Sequence, residues 1–217
     1  QAAKTYMPVL IGLSIAGVIY GSIVALRQKD LKKLLAYSSL SHVGLIAAGC
    51  YTLTLDGLSG AVLQMIAHGF VIVGLFFAAE IIYRRYETRT IAEMGGIRAQ
   101  TPRFTSMFMI LVLASVALPG TFNFVGEFTV LYSLSQINIW FVILGGTTII
   151  LGGYYMLKMF QNTMLGETNT KVFTDVTTNE AITLVVILPI LSSCKIFTKD
   201  SKIICLRLTM PILLFIM

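Results

Sequence analysis

Charge is what this chain has least of. Only 12% of its 217 residues are Asp, Glu, Lys or Arg and its mean hydropathy is +0.84, against about 25% charged residues in soluble domains, which excludes an ordinary water-soluble fold. Acidic residues are scarcer than basic ones, giving a net charge of +6. The basic residues lie in short segments between apolar runs rather than on an aromatic-interleaved surface, so no nucleic-acid partner is expected. Cysteine is nearly absent: Cys50, Cys194 and Cys205 have neither metal-ligand spacing nor an even disulfide framework. No Gly-rich dinucleotide fingerprint, iron–sulfur cysteine cluster or catalytic triad is present. The expectation is a chain with no catalytic residues, no metal ligands and no cofactor of its own. It also lacks a signal peptide and an initiator methionine, opening as QAAKTYMP straight into an apolar run, as a piece of a longer chain would.

What is present is a series of apolar runs long enough to cross a bilayer, so the fold class expected is all-α, a polytopic transmembrane helix bundle. About 20 residues make one crossing of about 30 Å. Tyr6 to Leu26 contains no charge, and Leu31 to Tyr51 follows the basic loop Arg27 to Lys33 with Asp30 as N-cap. After a link TLTLDG, Leu58 to Tyr83 makes a third crossing. A polar stretch with Gly95, Gly96 and Pro102 then reads as loop, with a short turn around Ile91 to Met94. Phe104 to Ser133 makes a fourth span, and Ile137 to about Leu165 a fifth, in which paired glycines at 145–146 and 152–153 permit close helix contact. A sixth begins at Ala181.

The fourth span is too long for one straight crossing and is interrupted by Pro119-Gly120-Thr121. Proline removes a backbone donor, glycine is a poor helix former, and Thr121 and Asn123 offer polar atoms to the freed backbone groups. A discontinuous helix broken at Pro119-Gly120-Thr121 is expected, with neighbouring helices and water beside the break, because irregular backbone at membrane depth must be buried in protein or line a cavity.

Three ionisable residues stand in the middle of apolar runs. His42 is about 16 Å into the second span, His68 is at similar depth in the third, and Glu127 is about 13 Å inside the membrane. Such groups are costly in lipid and mark ion paths or helix-pinning contacts. Ser38 and Ser41 give His42 polar company, and Gln64 lies one turn before His68. An imidazole, with an unperturbed pKa of about 6.5, suits proton carriage. The relay expected is His42, His68 and Glu127, with Ser38, Ser41 and Gln64 in support. Glu80, four residues before Arg84, reads instead as an interfacial salt-bridge partner.

Alternating crossings put eleven basic residues, from Arg27 to Lys171, on one side of the membrane and only Lys4 on the other before the tail. The positive-inside rule makes the first side cytoplasmic, or the matrix in a mitochondrion. The last part breaks this pattern, since Lys195, Lys199, Lys202 and Arg207 fall on the wrong side. Residues 1–193 therefore read as one membrane domain and 194–217 as an atypical tail, for which a truncated or out-of-frame ending is the leading explanation.

Four segments in order, QKDLKKLLAYSSLSHVG, GAVLQMIAHGFVIVGLFF, MGGIRAQTP and ALPGTFNFVGEF, resemble the later helices of the proton-pumping antiporter-like subunit M family of bacterial NADH:quinone oxidoreductase, whose mitochondrial counterpart is NADH dehydrogenase subunit 4. The resemblance covers roughly Gly12 to Glu180. It implies fourteen helices in a whole subunit, of which this chain supplies about the last six, and it puts His42 and His68 on the central relay histidines and Glu127 on the acidic residue of the second broken helix. Related antiporter-like subunits place a lysine near that break. The earlier helices, with their own glutamate and lysines, are not in this sequence, Phe122 adjoins the break where a small residue is common, and the tail after about Leu191 does not resemble the family.

The resemblance implies a subunit of a translocase that passes protons without redox chemistry of its own, partnered by other membrane subunits of the respiratory complex and by lipid. It implies an energy-transducing membrane, either the bacterial plasma membrane or the mitochondrial inner membrane. Two rivals stand beside it. One is a subunit of a multisubunit sodium/proton antiporter or membrane-bound hydrogenase. The other is a non-transporting scaffold whose polar groups only pin helices.

Overall fold

The computed structural model describes residues 2–166 and 174–184, and the backbone at 195–196 and 204–205. The helices are α1 (Ala2–Leu26), α2 (Leu31–Tyr51), α3 (Leu55–Tyr86), the single turn α4 (Ile97–Gln100), α5 (Pro102–Ser115), α6 (Phe122–Ser135) and α7 (Ile139–Phe160). A 3-10 turn covers Ile91–Glu93, a π-type turn over Gln161–Leu165 prolongs α7, and residues 178–184 are helical. Four of these helices, α1, α2, α3 and α7 with its extension, are long and apolar enough to cross a membrane. Extended pairing among the described residues is limited to a two-residue antiparallel pair, Lys195–Ile196 with Ile204–Cys205, and an isolated bridge between Asp30 and Thr90. The rest of the expected sixth span and of the 194–217 tail lies outside the described residues.

Local chemistry sets the helix starts. Asp30 accepts the Lys33 amide at 3.1 Å and begins α2. The link expected at TLTLDG is shorter than its polarity suggests. Thr54 caps α3 by accepting the Gly57 amide at 3.0 Å, so the helix starts at Leu55, three residues before the expected Leu58. Asp56 then sits in the first turn, where a carboxylate suits the positive end of the helix dipole.

The interruption of the fourth span begins earlier than Pro119. α5 stops at Ser115, and Ala117 takes a left-handed conformation with φ 56°. The Ala117 amide donates to Ala114 O at 3.3 Å and the Leu118 amide to Leu113 O at 3.2 Å. That pair of bonds is a Schellman stop, with proline immediately after it. Thr121 restarts the helix, accepting the Phe124 amide at 3.4 Å, and Asn123 Nδ2 donates to Ala114 O at 2.9 Å, fastening the start of α6 to the end of α5. The outer side of the turn is open: Leu118, Pro119 and Gly120 are exposed within this chain rather than covered by helices of it.

α2 lies along α1 and α3, α3 along α6, and α7 against α1. The contact of α1 with α2 is at backbone distance, since a Cβ on Gly44 would stand 2.9 Å from Ser14 O and 3.1 Å from Val18 N. The paired glycines of α7 do not play this part. Gly146 has nothing within 4 Å of a built Cβ, and Gly145, Gly152 and Gly153 meet only side chains.

The buried apolar residues form two clusters. One joins Leu31, Leu35, Leu75, Ile82, Phe104, Phe108 and Met156 near the basic ends of the helices. The other joins Ile11, Ile15, Leu45, Ala61, Val130 and Leu134 toward the opposite ends. Between them, on α1, α2, α3 and α6, lies a polar layer: Ser22, Ser38, Ser41, His42, Gln64, His68 and Glu127, all buried.

Candidate proton-relay site

Burying these groups requires partners, because an unpaired polar group in low dielectric costs several kcal/mol, of order 2–7. α2 and α3 run antiparallel, which brings His42 against His68 with ring centroids 5.0 Å apart and planes inclined by 35°. On the far side of His68, Ser39 Oγ lies 2.9 Å from Nε2. On the far side of His42, Nδ1 lies 2.9 Å from Glu127 Oε1. The ring is turned so that this contact is at ion-pair distance without being a straight hydrogen bond. Gln64 Nε2 donates to the same oxygen at 2.9 Å. A contiguous row therefore runs Ser39, His68, His42, Glu127, Gln64, its members drawn in turn from α2, α3, α2, α6 and α3.

The six residues singled out from sequence separate into two groups. His42, His68, Glu127 and Gln64 meet one another directly. Ser38 is adjacent but occupied, taking the Tyr155 hydroxyl at 3.0 Å and so tying α2 to α7. Ser41, expected beside His42, points the other way. Its Oγ is 2.8 Å from Ser22 Oγ and donates to Val18 O at 3.1 Å, because successive helical residues lie about 100° apart and position 41 faces α1. Glu80 is apart from the row, holding Lys32 Nζ at 2.6 Å and Arg84 Nε at 3.2 Å near the basic ends of the helices.

Sequence reasoning missed Ser39 and Tyr155. Hydroxyl residues are common helix-packing groups, and only helical phase distinguishes Ser39, three positions before His42, from its neighbours. Chemically the row contains two imidazoles, each with two ring nitrogens, and one carboxyl, all kept from solvent and in mutual contact. Groups at these distances are candidates to hand on a proton once ring rotation aligns them. Among the described residues no group of three or more His, Cys, Asp or Glu is arranged to hold a metal.

Comparison with known proteins identifies the family. The chain matches the family model described as NADH:quinone oxidoreductase/Mrp antiporter, TM, over residues 1–152. It is 42% identical over 171 residues to NADH-quinone oxidoreductase subunit M of Rickettsia bellii, covering 79% of this chain and 35% of that protein. It is 39% identical over 165 residues to NADH-ubiquinone oxidoreductase chain 4 of Metridium senile, covering 76% and 34%. A chain of respiratory complex I from Thermus thermophilus superposes with a TM-score of 0.81 at 32% identity, over 87% of this chain and 41% of that one. The chain thus spans about a third of the length of the curated relatives it matches. With the model matched across most of its length and the helices superposing as they do, the chain belongs to the NADH:quinone oxidoreductase/Mrp antiporter membrane family.

Proposed function

We propose that this chain forms the later helices of a subunit M-type antiporter-like protein and passes protons through His68, His42 and Glu127, within a NADH:quinone oxidoreductase of the bacterial plasma membrane or mitochondrial inner membrane. The observation that carries the reading is the contiguity of the row: two buried histidines 5.0 Å apart, the second 2.9 Å from a buried glutamate. Helix-pinning alone would be served by serine and glutamine and would not call for three titratable groups in contact, each costly to bury. The relatives at about 40% identity are subunits M and chain 4 of NADH:quinone oxidoreductases, which favours that complex over a sodium/proton antiporter. Redox chemistry belongs to other subunits, and coupling reaches this chain from outside it.

The test is Glu127→Gln in the full-length subunit of an assembled complex. Electron transfer from NADH to quinone and the amount of complex should persist, because Gln keeps the size of the side chain. Protons moved per electron should fall. Glu127→Asp, which keeps a titratable group, should retain part of the pumping. An assembled Glu127→Gln complex pumping at the full ratio would remove the relay.

A further inference from the structure

Both neighbours of Glu127 converge on one of its two oxygens. Oε1 accepts the Gln64 amide at 2.9 Å and lies 2.9 Å from His42 Nδ1, while Oε2 has no partner among the described residues. Gln64 is fully buried, its amide nitrogen donating to the carboxyl while its own Oε1 has no hydrogen-bond partner among the described residues. Its place is set by a glycine. Gln64 lies over Gly126, where a Cβ would stand 2.6 Å from Gln64 Oε1, 2.8 Å from Gln64 Cβ and 2.9 Å from Gln64 Cα. The last of these is a backbone atom, so no rotation of the glutamine relieves the clash.

We propose that Gln64, seated on Gly126, is a positioning residue that gives the two oxygens of Glu127 different duties: Oε1 receives from His42 and Oε2 hands on. The inference rests on the relay reading above. With the Gln64 donor and the His42 ring nitrogen both 2.9 Å from Oε1, a proton carried by the carboxyl belongs on Oε2, which no partner occupies among the described residues. In the transfer, the ring first turning to align with the carboxyl, the Nδ1–H bond of protonated His42 breaks and an Oε1–H bond forms, while the Oε2–H bond breaks and its proton passes to a water molecule. The carboxyl double bond shifts from Oε1 to Oε2, His42 becomes neutral, and no electron changes hands. Rotation of the carboxyl then returns the proton to Oε2 and restores the Gln64 bond. The glutamine therefore acts through Glu127, holding it to one direction of use.

The test reads the carboxyl itself. In the assembled complex with full-length subunit, the infrared C=O stretch of protonated Glu127 is the band lost in Glu127→Gln. In Gln64→Met, which keeps length and volume but has no donor, that band should move to higher frequency, because the carbonyl oxygen has lost a hydrogen bond. Proton translocation should fall about fivefold while electron transfer continues, the scale of one neutral hydrogen bond. Gly126→Ala should move the band the same way with Gln64 still present. An unmoved band in Gln64→Met, whatever its pumping rate, overturns the positioning role, and an unmoved band in Gly126→Ala overturns the seat. If Glu127→Gln itself pumps fully, the relay reading fails. If Glu127→Gln does not pump and Gln64→Met is silent in both measurements, only the present inference fails.

Discussion

His42 and Glu127 meet with Nδ1 2.9 Å from Oε1, their side chains 4% and 1% exposed. A pair so enclosed works as a unit. Charged, it is stabilised by mutual attraction; stripped of one member, it leaves the other to bear the desolvation cost alone, of order 3–5 kcal/mol.

Non-additivity between these two residues follows. In assembled complexes, His42→Ala and Glu127→Gln should each reduce pumping strongly, and the double variant should be no worse than the poorer single one. A cycle in which the two effects multiply would mean that the residues serve separate steps.

Ser39 should matter less, and in a graded way. Its hydroxyl lies 2.9 Å from His68 Nε2, donating or accepting according to which ring nitrogen carries the proton. A neutral hydrogen bond contributes about 1 kcal/mol, so Ser39→Ala should slow proton transfer about fivefold, with Ser39→Thr recovering most of the rate. Equal rates in Ser39→Ala and the parent would take Ser39 out of the row.

At Ala117 the backbone conformation, φ 56°, costs an L-residue about 1 kcal/mol that glycine does not incur. Ala117→Gly should leave the Leu118 amide, bonded to Leu113 O, as protected from hydrogen exchange as before or more so. Ala117→Val, β-branched in a left-handed position, should lose that protection and perturb the start of α6.

The segment 174–184 is tied to the end of α3 by Arg85 Nη2, which donates to Glu180 Oε2 at 2.7 Å and to Asp175 O at 3.2 Å. Burial pushes the Glu180 carboxyl up, but bonds from the Thr177 amide and hydroxyl and the Arg85 guanidinium outweigh it, and the net shift is downward from 4.5. A carboxyl with a depressed folded pKa contributes stability above its ordinary value and loses it as pH falls through the folded one. Protection of this segment from proteolysis should therefore hold from neutral pH down to about 4.5 and decline below it. Glu180→Gln should lower protection at neutral pH and flatten the acid dependence. A Glu180→Gln segment that stays protected at neutral pH would show that the tie contributes nothing.

The outline of the bundle was legible because apolar runs of membrane length and the charges between them are coarse signals that neighbours scarcely alter. His42, His68 and Glu127 were legible for the opposite reason, as isolated ionisable groups among aliphatic residues. What escaped depends on finer placement. Pro119 announces an interruption but not its start, because the Schellman stop at Ala117 uses an alanine in a conformation that sequence leads one to assign to glycine. The role of Gly126 emerges only when α6 is laid on α3, since helix-paired glycines look alike until the facing atom is known. Ser41 and Ser39 differ by two positions and end on different helices, a distinction that rests on the rotation of α2 between α1 and α3.

The polar layer lies across the helices rather than along them, with an apolar cluster on either side. Under the proposed relay, a proton passing from His68 through His42 to Glu127 would travel sideways in the membrane, through little of the transmembrane voltage. The drop falls mainly across the two apolar slabs. A potential of 100 mV is worth about 2.3 kcal/mol on a charge that crosses the whole bilayer, so in an assembled complex the voltage acts on the steps that bring the proton to this level and carry it away. The lateral exchange between the histidines and the glutamate can run near equilibrium at any membrane potential, leaving the electrical work to whatever loads and empties the row.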